Sequence, residues 1–321
     1  RRIPRVDTGA DGPAALVDAE PGRLGALVAS AESHYGPLAL RLGDRLSRRW
    51  LQRARNPYAG EIDAIAGRLG QPGAHLLNLS YEWTCTAGVG PDPGGTGMRI
   101  IRTLDWPLPG LGRNAVVACR QGRAGPWFDV TWPGFVGVAT ALAPGRFAAA
   151  INQPPMKRFT SACWLDWAIN RGRLWRSRAL PPVHLLRRVF ERAATYAEAK
   201  AMLTGTPLAI PAFFTIAGIQ AGEGAVIERR EESARVLEAP ASVANHWLGD
   251  ESLDRMRGLD SPGRWRMMEE VRDRAGDDFA WVRPPILNET TRLAVAANPT
   301  RGSLTVQGFE QDGPATAVFG L

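Results

Sequence analysis

The sequence predicts an α+β fold in which two β-sheets lie between layers of helices. Residues 22–54 and 60–69 have the apolar spacing of amphipathic helices, so a helix-rich segment comes first. After residue 84 the pattern becomes β-rich and is divided by glycine-rich turns. Strands, then helices, then strands again favour two sheets that helices cover.

Each element is bounded by recognisable turn or cap residues. Gly36-Pro37 divides the first helical segment, and Gly70 ends the second. Ser261 is the expected N-cap of a late helix, with Pro262 in its first turn. The predicted strands are 85–90, 98–105, 114–120, 126–131, 134–141, 146–151, 212–219, 224–230, 234–238, 292–297 and 303–309. The predicted later helices are 162–171, 182–203 and 261–274.

The charge of the chain raises a non-enzymatic alternative. The 321 residues carry a net charge of +7, and arginines cluster around a tryptophan between Arg171 and Arg178. Such a basic patch is typical of nucleic-acid binding or of a surface that meets anionic lipid or an acidic substrate. No nucleic-acid fold motif accompanies it, so we interpret the cluster as a solvated loop before Pro181 and expect no nucleic-acid partner.

The three cysteines are too few for a disulfide framework, and their odd number favours a reducing, cytoplasmic compartment. We expect no signal peptide in the sequence shown, although a secreted or periplasmic location stays open. No apolar run approaches the ~20 residues of a membrane span. No Cys-x-x-Cys or His-x-x-x-His pair indicates a metal, and no cofactor is expected.

Cys85 is the candidate nucleophile, because it opens a small-residue run at the start of a predicted hairpin strand. Arg102 and Asp105 follow on the next strand. A thiol reacts as its thiolate, which a nearby guanidinium favours, and a carboxylate can hold an amine or orient a base. Positions 102 and 105 fall on opposite faces of a flat strand. They reach one thiol only if the strand twists, bulges or ends between them.

The base that would activate Cys85 stays open at this point. None of the four histidines is near it in sequence, although a distant one can fold back. The other candidate is the α-amino group of Cys85 itself, freed by cleavage after Thr84, which titrates near pH ~7.7–8.0. The residue pattern alone also fits an inert core cysteine, which is what most free cysteines are.

Several segments between residues 70 and 310 resemble one family in collinear order. They are Cys85-Thr-Ala with Arg102-x-x-Asp105, the hairpin 132–152, the helix and strand of 195–224, and the stretches 243–247 and 260–264. Together they resemble the acid ceramidase and N-acylethanolamine acid amidase group of N-terminal nucleophile hydrolases, relatives of choloylglycine hydrolase and penicillin V acylase. The resemblance implies a four-layer αββα sandwich of two mainly antiparallel sheets. It also implies self-cleavage at Thr84–Cys85 into a helix-rich segment 1–84 and a catalytic subunit 85–321.

The resemblance assigns further site residues. Asn152 would donate to the oxyanion, Asn245 would support the oxyanion or the nucleophile, and Arg264 would balance the charges of Asp105 and the thiolate. The spacing of Arg264 follows the choloylglycine hydrolases rather than the ceramidases. From residue type alone, both asparagines can instead be turn or strand-end residues.

Three more residues are candidates for supporting roles. Glu82 would bind the freed amine or be a plain surface residue, and Asp166 would be a site acid or a buried helix carboxylate. His246 would be the base if no amine is freed.

The function that these assignments imply is hydrolysis of an N-acyl amide, fatty-acyl or otherwise lipophilic, through a thioester. Tryptophan-rich loops can line an acyl pocket or belong to the core. Acyl transfer to an amine by the same fold is the enzymatic alternative, and a basic binding module is the non-enzymatic one. The expected partners are the small amide substrate, the two fragments of the chain and, peripherally, a lipid surface. The oligomeric state stays open.

Overall fold

Two β-sheets packed face to face form the centre of the molecule. The computed structural model describes residues 1–79, 83–249 and 254–321. Strands of the smaller sheet contact strands of the larger sheet directly, and helices pack against the outer faces. The α+β class, with two mainly antiparallel sheets between helix layers, is therefore confirmed.

Within the described residues the larger sheet has eight strands, and its neighbouring pairs are antiparallel except for the parallel first pair. Their order is β1 (Arg5–Asp7), β4 (Val116–Gly122), β5 (Gly125–Thr131), β6 (Thr140–Ala143), β7 (Phe147–Asn152), β8 (Ala212–Gly218), β9 (Gly224–Arg229) and β10 (Ala234–Glu238).

The smaller sheet is antiparallel throughout its described pairs. Its order is β11 (Ala241–Val243), β2 (Thr84–Pro91), β3 (Met98–Asp105), β12 (Thr291–Asn298), β13 (Ser303–Glu310) and β14 (Gly313–Pro314), and β15 (Phe319–Gly320) also pairs with β13.

The helices fall into an N-terminal group and a later group. The N-terminal helices are α1 (Pro13–Ala19), α2 (Pro21–Tyr35), α3 (Pro37–Arg53), α4 (Ala59–Leu69) and α5 (Ala74–Leu77). The later helices are α6 (Cys163–Arg176), α7 (Pro182–Arg192), α8 (Tyr196–Gly205) and α9 (Ser261–Val271). Helices α7 and α8 pack on the larger sheet, and α9 packs on the smaller sheet. In the described part of the chain, no helix is long and apolar enough to cross a membrane.

Most predicted elements are present, and three predictions are wrong. The predicted strand 134–141 begins only at Thr140, because the backbone N–H groups of Val136 and Val138 bond to Asn78 Oδ1 and to Val183 O instead of to a ladder. The predicted helix 182–203 is two helices, because Thr195 caps a new helix by accepting from the N–H of Glu198.

The third wrong prediction is the solvated loop after Arg171. Helix α6 runs on to Arg176, because Gly172 is tolerated in the helix and Leu174 is buried against the core. The arginines of this stretch therefore have helical spacing. Arg171 and Arg173 line two neighbouring pockets that both include Gln153 and Asn170.

The faces of the central hairpin are set by side-chain alternation. Cys85, Ala87 and Val89 of β2 belong to the core cluster between the sheets, while Gly88 lies against Met268 of α9. Close approach of α9 explains this glycine, since a Cβ there would lie 3.1 Å from the Met268 side chain. Each fully buried aliphatic side chain in such a core contributes about 1.5–3 kcal/mol to stability.

The N-terminal segment is held to the rest of the chain by polar contacts as well as by its apolar faces. The Arg187 guanidinium bonds to both carboxylate oxygens of Glu61 at 2.8 Å and lies over the Tyr58 ring. Tyr58 Oη donates to Glu191, and β1 adds a strand to the edge of the larger sheet. These contacts join residues before Cys85 to residues after it.

A buried histidine ties α5 to the neighbouring helices. His75 Nε2 lies 3.0 Å from Asp63 and its Nδ1 lies 3.3 Å from Asp44. Burial by itself lowers the pKa of His75, but the hydrogen bonds and charges of the two carboxylates outweigh it, so the pKa lies above its ordinary value.

Candidate active site

Cys85 is the second residue of β2 and is completely buried. The hairpin register places it opposite Leu104, and it places Thr84 opposite Asp105. The predicted position of the cysteine at the start of a hairpin strand is therefore confirmed. Its side chain lies in the layer between the two sheets.

Arg102 shares that layer and is itself completely buried. Its Nη1 donates to Thr140 Oγ1 at 2.6 Å, and its Nη2 donates to Ile151 O at 3.1 Å. The guanidinium thus spans from β3 to the strands of the opposite sheet. This fixes a positive charge near the thiol by hydrogen bonds that use neutral acceptors.

Asp105 lies on the opposite face of β3 from Arg102, as the odd spacing requires. Strand β3 ends at Asp105, and the neighbouring β12 has a register irregularity between Thr291 and Leu293 at the same level. Asn288 Nδ2 donates to Asp105 Oδ2 at 3.0 Å, and Arg264 Nη1 lies 3.7 Å from the same oxygen. Burial raises the pKa of Asp105, while the charge of Arg264 opposes that rise.

Arg264 connects these residues from the first turn of α9 and has no exposed surface. Its Nη1 donates to Cys85 O at 2.9 Å and to Thr86 Oγ1 at 2.8 Å, and its Nη2 donates to Asn245 Oδ1 at 2.9 Å. One guanidinium therefore contacts the nucleophile's own backbone, an adjacent site residue and the buried carboxylate.

The N-cap of α9 is Asp260, whose side chain accepts from the N–H of Gly263, so the prediction that Ser261 caps this helix is wrong. Ser261 Oγ instead accepts from the N–H of Asn245 at 2.8 Å and lies 2.8 Å from His246 Nδ1. Asp260 is the N-cap because it directly precedes the first helical residue and its carboxylate accepts a hydrogen bond from the first turn. Burial, with the charges of Arg264 and Arg266, lowers the pKa of His246.

Asn245 holds the backbone of the nucleophile. Its Oδ1 accepts from the N–H of Cys85 at 2.9 Å, and its Nδ2 donates to Gln153 O at 2.7 Å. Both ends of this amide are occupied, and this arrangement favours support of the nucleophile over donation to an oxyanion.

Asn152 ends β7 and is buried beside the same strands. Its Nδ2 makes two long hydrogen bonds, at 3.3 Å to Val243 O and 3.2 Å to Ala244 O. Within the described residues its Oδ1 has no hydrogen-bond partner. The Asn152 side chain therefore contacts the two backbone carbonyls that immediately precede Asn245.

The thiol of Cys85 is neutral in this arrangement. Burial raises its pKa, while the charge of Arg102, the backbone N–H of Asp105 and the charge of Arg264 oppose the rise. A buried neutral thiol needs a base before it attacks a carbonyl.

Of the proposed supporting residues, Asp166 lies within the described part of the chain and Glu82 does not. Asp166 Oδ1 accepts from the N–H groups of Phe159 and Thr160, and Oδ2 accepts from Arg255 Nε at 2.6 Å. Desolvation raises its pKa, but these bonds prevail and bring the pKa of Asp166 to about 2. These contacts tie α6 to the segment that follows residue 253. Glu82 lies outside the described residues.

An aromatic cluster lies next to the cysteine on the apolar side. The rings of Trp83 and Trp106 are 5.6 Å apart, and Trp132 and Phe135 meet them edge-on. Trp106 and Trp132 also line an apolar cavity of about 50 Å³ under α2 and α4.

Several contacting residues were not singled out as site residues in the sequence. Thr140 and Thr86 accept from the two arginines, Ser261 fixes Asn245, and Asn288 holds Asp105 from 183 residues away. No local pattern marks such partners, because only the packing of segments that are distant in the chain brings them together. In residues 1–79, 83–249 and 254–321, no group of three or more His, Cys, Asp or Glu side chains is placed to hold a metal ion.

Comparison with known proteins identifies relatives of this chain. No family model matches the chain. Acid ceramidase of Pan troglodytes is 32% identical over 129 residues, which are 40% of this chain and 31% of the ceramidase. The chain thus matches about a third of the length of that relative. The N-acylethanolamine-hydrolyzing acid amidase of Caenorhabditis elegans is 26% identical over 265 residues, 77% of this chain and 70% of the amidase.

The solved structure described as a Caenorhabditis elegans N-acylethanolamine-hydrolyzing acid amidase ortholog has the same fold. Its TM-score is 0.51, with 20% identity, and the match covers 67% of this chain and 93% of the other. The resemblance that the sequence suggested is confirmed. The chain is a homologue of acid ceramidase and of N-acylethanolamine-hydrolyzing acid amidase, built on the N-terminal nucleophile hydrolase fold.

Proposed function

We propose that this protein is an N-terminal cysteine amidohydrolase, which cuts its own chain at Thr84–Cys85 and then hydrolyses an N-acyl amide through a thioester. The observation that carries the proposal is the hydrogen bond from the Cys85 N–H to Asn245 Oδ1 beside the buried Arg264. The names of the homologues, a ceramidase and an acylethanolamine amidase, support amide hydrolysis.

Self-cleavage would use the Cys85 thiol, the groups that surround the bond and one water molecule. The Cys85 thiol attacks the Thr84 carbonyl carbon, a C–S bond forms, and the peptide C–N bond breaks as the Cys85 nitrogen takes the proton that the thiol loses. Water then hydrolyses this thioester, which leaves the Thr84 carboxylate and a free thiol and amine on Cys85. Asp105 lies opposite Thr84 in the ladder, and its Oδ1 has no hydrogen-bond partner within the described residues. We assign that oxygen as the acceptor for the new amine.

The same thiol then serves turnover. The α-amine of Cys85 takes the thiol proton, because an α-amine titrates near pH ~7.7–8.0 and is partly unprotonated at neutral pH. Asn245 Oδ1 holds that nitrogen, and Arg264, which donates to the same oxygen, disfavours a second positive charge there. The thiolate attacks the substrate carbonyl. The amide C–N bond breaks as the leaving amine takes the proton from the α-ammonium group of Cys85, and water then hydrolyses the thioester and releases the acid.

Asn152 is the proposed oxyanion donor. Its two bonds of 3.2 and 3.3 Å are longer than the usual 2.9–3.0 Å, so a charged oxygen competes for this donor more effectively than a neutral carbonyl. Catalytic hydrogen bonds are often long before substrate binds. We assign the acyl chain to the apolar side at Trp83 and Trp106, where the existing cavity of about 50 Å³ would have to widen to admit it.

Denaturing electrophoresis, intact mass and N-terminal sequencing test the self-cleavage. We expect two fragments, the second beginning at Cys85, that stay associated in native buffer. Cys85→Ala should remain a single chain, whereas the exposed Cys163→Ala should be cut like the wild type. If active enzyme is found only at full length, no α-amine exists, and His246 becomes the candidate base.

A panel of N-acyl amides with mass-spectrometric detection tests the turnover step. Release of free fatty acid supports hydrolysis, and formation of a new amide with an added acceptor amine supports acyl transfer instead. Labelling with iodoacetamide, with the labelled residue located by peptide mass spectrometry, distinguishes these two activities from an inert Cys85 thiol. Cys85 is fully buried in the intact chain, so selective labelling should appear only after the chain is cut.

We also propose peripheral contact with a lipid surface. Leu38 and Leu42 of α3 and Trp164 and Trp167 of α6 are exposed, and the two helices contact each other. Exposed apolar side chains that share one surface are typical of membrane interaction, and we propose that these four do so. Co-sedimentation with anionic vesicles should decrease when Leu42 and Trp164 are both replaced by Ser, and unchanged binding would contradict the proposal.

A further inference from the structure

The two oxygens of the Asp105 carboxylate have different surroundings. Oδ2 accepts from Asn288 Nδ2 at 3.0 Å and lies 3.7 Å from Arg264 Nη1. Oδ1 has no hydrogen-bond partner within the described residues, although Asp105 has no exposed surface. Buried polar atoms in proteins are rarely left unpaired. The proposed function gives Oδ1 a partner, which is the amine that forms on Cys85 when the chain is cut.

The side-chain amide of Asn288 is fixed by four hydrogen bonds. Its Nδ2 donates to Asp105 Oδ2 and, at 3.3 Å, to Ile286 O. Its Oδ1 accepts from the backbone N–H of Thr290 at 3.0 Å and from the Thr290 hydroxyl at 2.6 Å. An asparagine amide has two donor hydrogens and one oxygen with two lone pairs, so all of its hydrogen-bonding capacity is used. Because a backbone N–H can only donate, the oxygen must face Thr290 and the NH₂ group must face Asp105.

The segment that carries Asn288 is joined to the end of β3 by its backbone. The N–H of Trp106 donates to Thr290 O at 2.7 Å. Thr291 pairs with Asp105 in the ladder between β12 and β3. These contacts do not involve the Asn288 side chain. Its replacement should therefore remove the hydrogen bond to Asp105 without detaching the segment.

The electrostatic surroundings of Asp105 make this one hydrogen bond important. The charged and titratable groups around Asp105 are Arg264 on α9, Arg102 on β3, Cys85 on β2 and Arg292 on β12. Burial raises the pKa of Asp105, whereas the charge of Arg264 and the hydrogen bond from Asn288 oppose this rise. Loss of the Asn288 donor should therefore raise the pKa of Asp105 further. A second carboxylate at position 288 would raise it by repulsion.

We propose that Asn288 is a positioning residue, which holds Asp105 by its Oδ2 and so keeps Asp105 Oδ1 available for the Cys85 nitrogen in self-cleavage and in turnover. The inference rests on the proposed function and adds a residue to its machinery. Asn288 contributes no atom to the reaction and acts only through Asp105.

Two substitutions at position 288 should change the pH profile of self-cleavage in opposite directions. Asn288→Ala removes the donor, so self-cleavage should slow about 10-fold near pH 5 and less near pH 8, where the higher pH favours the ionised carboxylate. Asn288→Asp preserves the size of the side chain. Its carboxyl group can donate to Asp105 when protonated, so the rate should stay within about threefold of the wild type near pH 5. Near pH 8 the two carboxylates repel, and the rate should fall about 10-fold or more.

The measurement follows the chain from its synthesis. The full-length protein is made in a cell-free extract and shifted to buffers between pH 5 and 9, and the cut fraction is followed by denaturing electrophoresis. Glu289→Gln, at the exposed neighbouring position, is the matched control and should give the wild-type profile. A role limited to folding would slow self-cleavage by the same factor at every pH. Such a uniform loss, or profiles that coincide with the wild type, would overturn the inference while leaving self-cleavage of the wild type intact.

Thermal unfolding in the Cys85→Ala background tests the same contact without catalysis. Adding Asn288→Asp to this chain should lower its melting temperature, relative to the Cys85→Ala parent, by about 2 °C or more as the pH rises from 5 to 8. The sign follows because a carboxylate pair that binds a proton more tightly in the folded state loses stability as the pH rises. Parallel melting temperatures over this range would overturn the inference. If the wild type is neither cut nor active, the proposed function fails, and these melting temperatures still decide whether Asn288 holds Asp105.

Discussion

Glu61→Gln should weaken the attachment of the N-terminal segment to the rest of the chain. Glu61 lies on α4, before the proposed cut, and both of its oxygens accept from Arg187 on α7, after it. Glutamine preserves the size of the side chain but removes the charge and one acceptor. The Arg187 side chain is 8% exposed and the Glu61 side chain is 35% exposed. Loss of the ion pair therefore costs most at Arg187, whose charge stays buried.

The magnitude follows from the one acceptor and the negative charge that are lost. A hydrogen bond to a charged group contributes about 1.5–3 kcal/mol, and partial exposure of Glu61 reduces this by screening, so we expect a net loss of ~2 kcal/mol. Arg187 keeps its bonds to Glu191 and Val136 O, which limits the cost of leaving it buried. A loss of ~2 kcal/mol lowers the melting temperature by roughly 3 °C in a chain of 321 residues, because the entropy of unfolding grows with chain length.

Thermal unfolding by calorimetry and circular dichroism at pH 7 measures the effect. In the cleaved protein, size-exclusion chromatography in increasing urea should show the fragments separating at lower urea than in the wild type. Glu32→Gln, on the exposed side of α2, is the matched control and should change stability by less than ~0.5 kcal/mol. If Glu61→Gln melts within about 1 °C of the wild type, the ion pair does not hold the segment, and the reasoning is refuted.

Three further predictions address the nucleophile, the oxyanion donor and the pH dependence. Cys85→Ala should abolish turnover of N-acyl amides while leaving the circular dichroism spectrum unchanged, and Cys85→Ser should retain little activity because a hydroxyl ionises far less readily; substantial turnover by the Ala variant would rule out the thioester route. Asn152→Ala should lower kcat ~10²–10³-fold with little change in melting temperature, whereas reduced stability at unchanged specific activity would make Asn152 a turn residue. His75 has a folded-state pKa above the unfolded value of ~6.5, so its stabilisation is complete below that pH and is lost as the pH rises through the raised pKa. His75→Gln should therefore flatten the decline in stability above pH 6.5, and the exposed His34→Gln should preserve the wild-type slope.

The parts of the site that local sequence could predict are those with a local signal. Cys85, at the start of its strand, follows from the small-residue run, and Arg102 and Asp105 follow from a strand bounded by Gly and Pro. The odd spacing of the last two correctly indicated opposite faces, with the strand ending at Asp105. The catalytic roles of these residues remain predictions.

Other positions needed the resemblance or were missed. Asn245 and Arg264 lie 160 and 179 residues from Cys85, and only their similarity to family segments marked them. Ser261 was assigned to the helix cap, because cap propensity does not reveal that Asp260 adopts that role. The arginines after Arg171 were predicted to lie in a loop, because Gly172 and the high density of charge are typical of loops. The helix nevertheless continues to Arg176.

The sequence by itself determined where most strands and helices begin and end, because apolar periodicity and turn residues act over a few neighbouring positions. It also determined that two sheets are covered by helices. Only the tertiary structure decided which side chains meet. Asn288 reaches Asp105, and Gln153 O accepts from Asn245, which itself accepts from the Cys85 N–H. Such contacts depend on the register and packing of strands that are distant in the chain, and no local pattern encodes that distance.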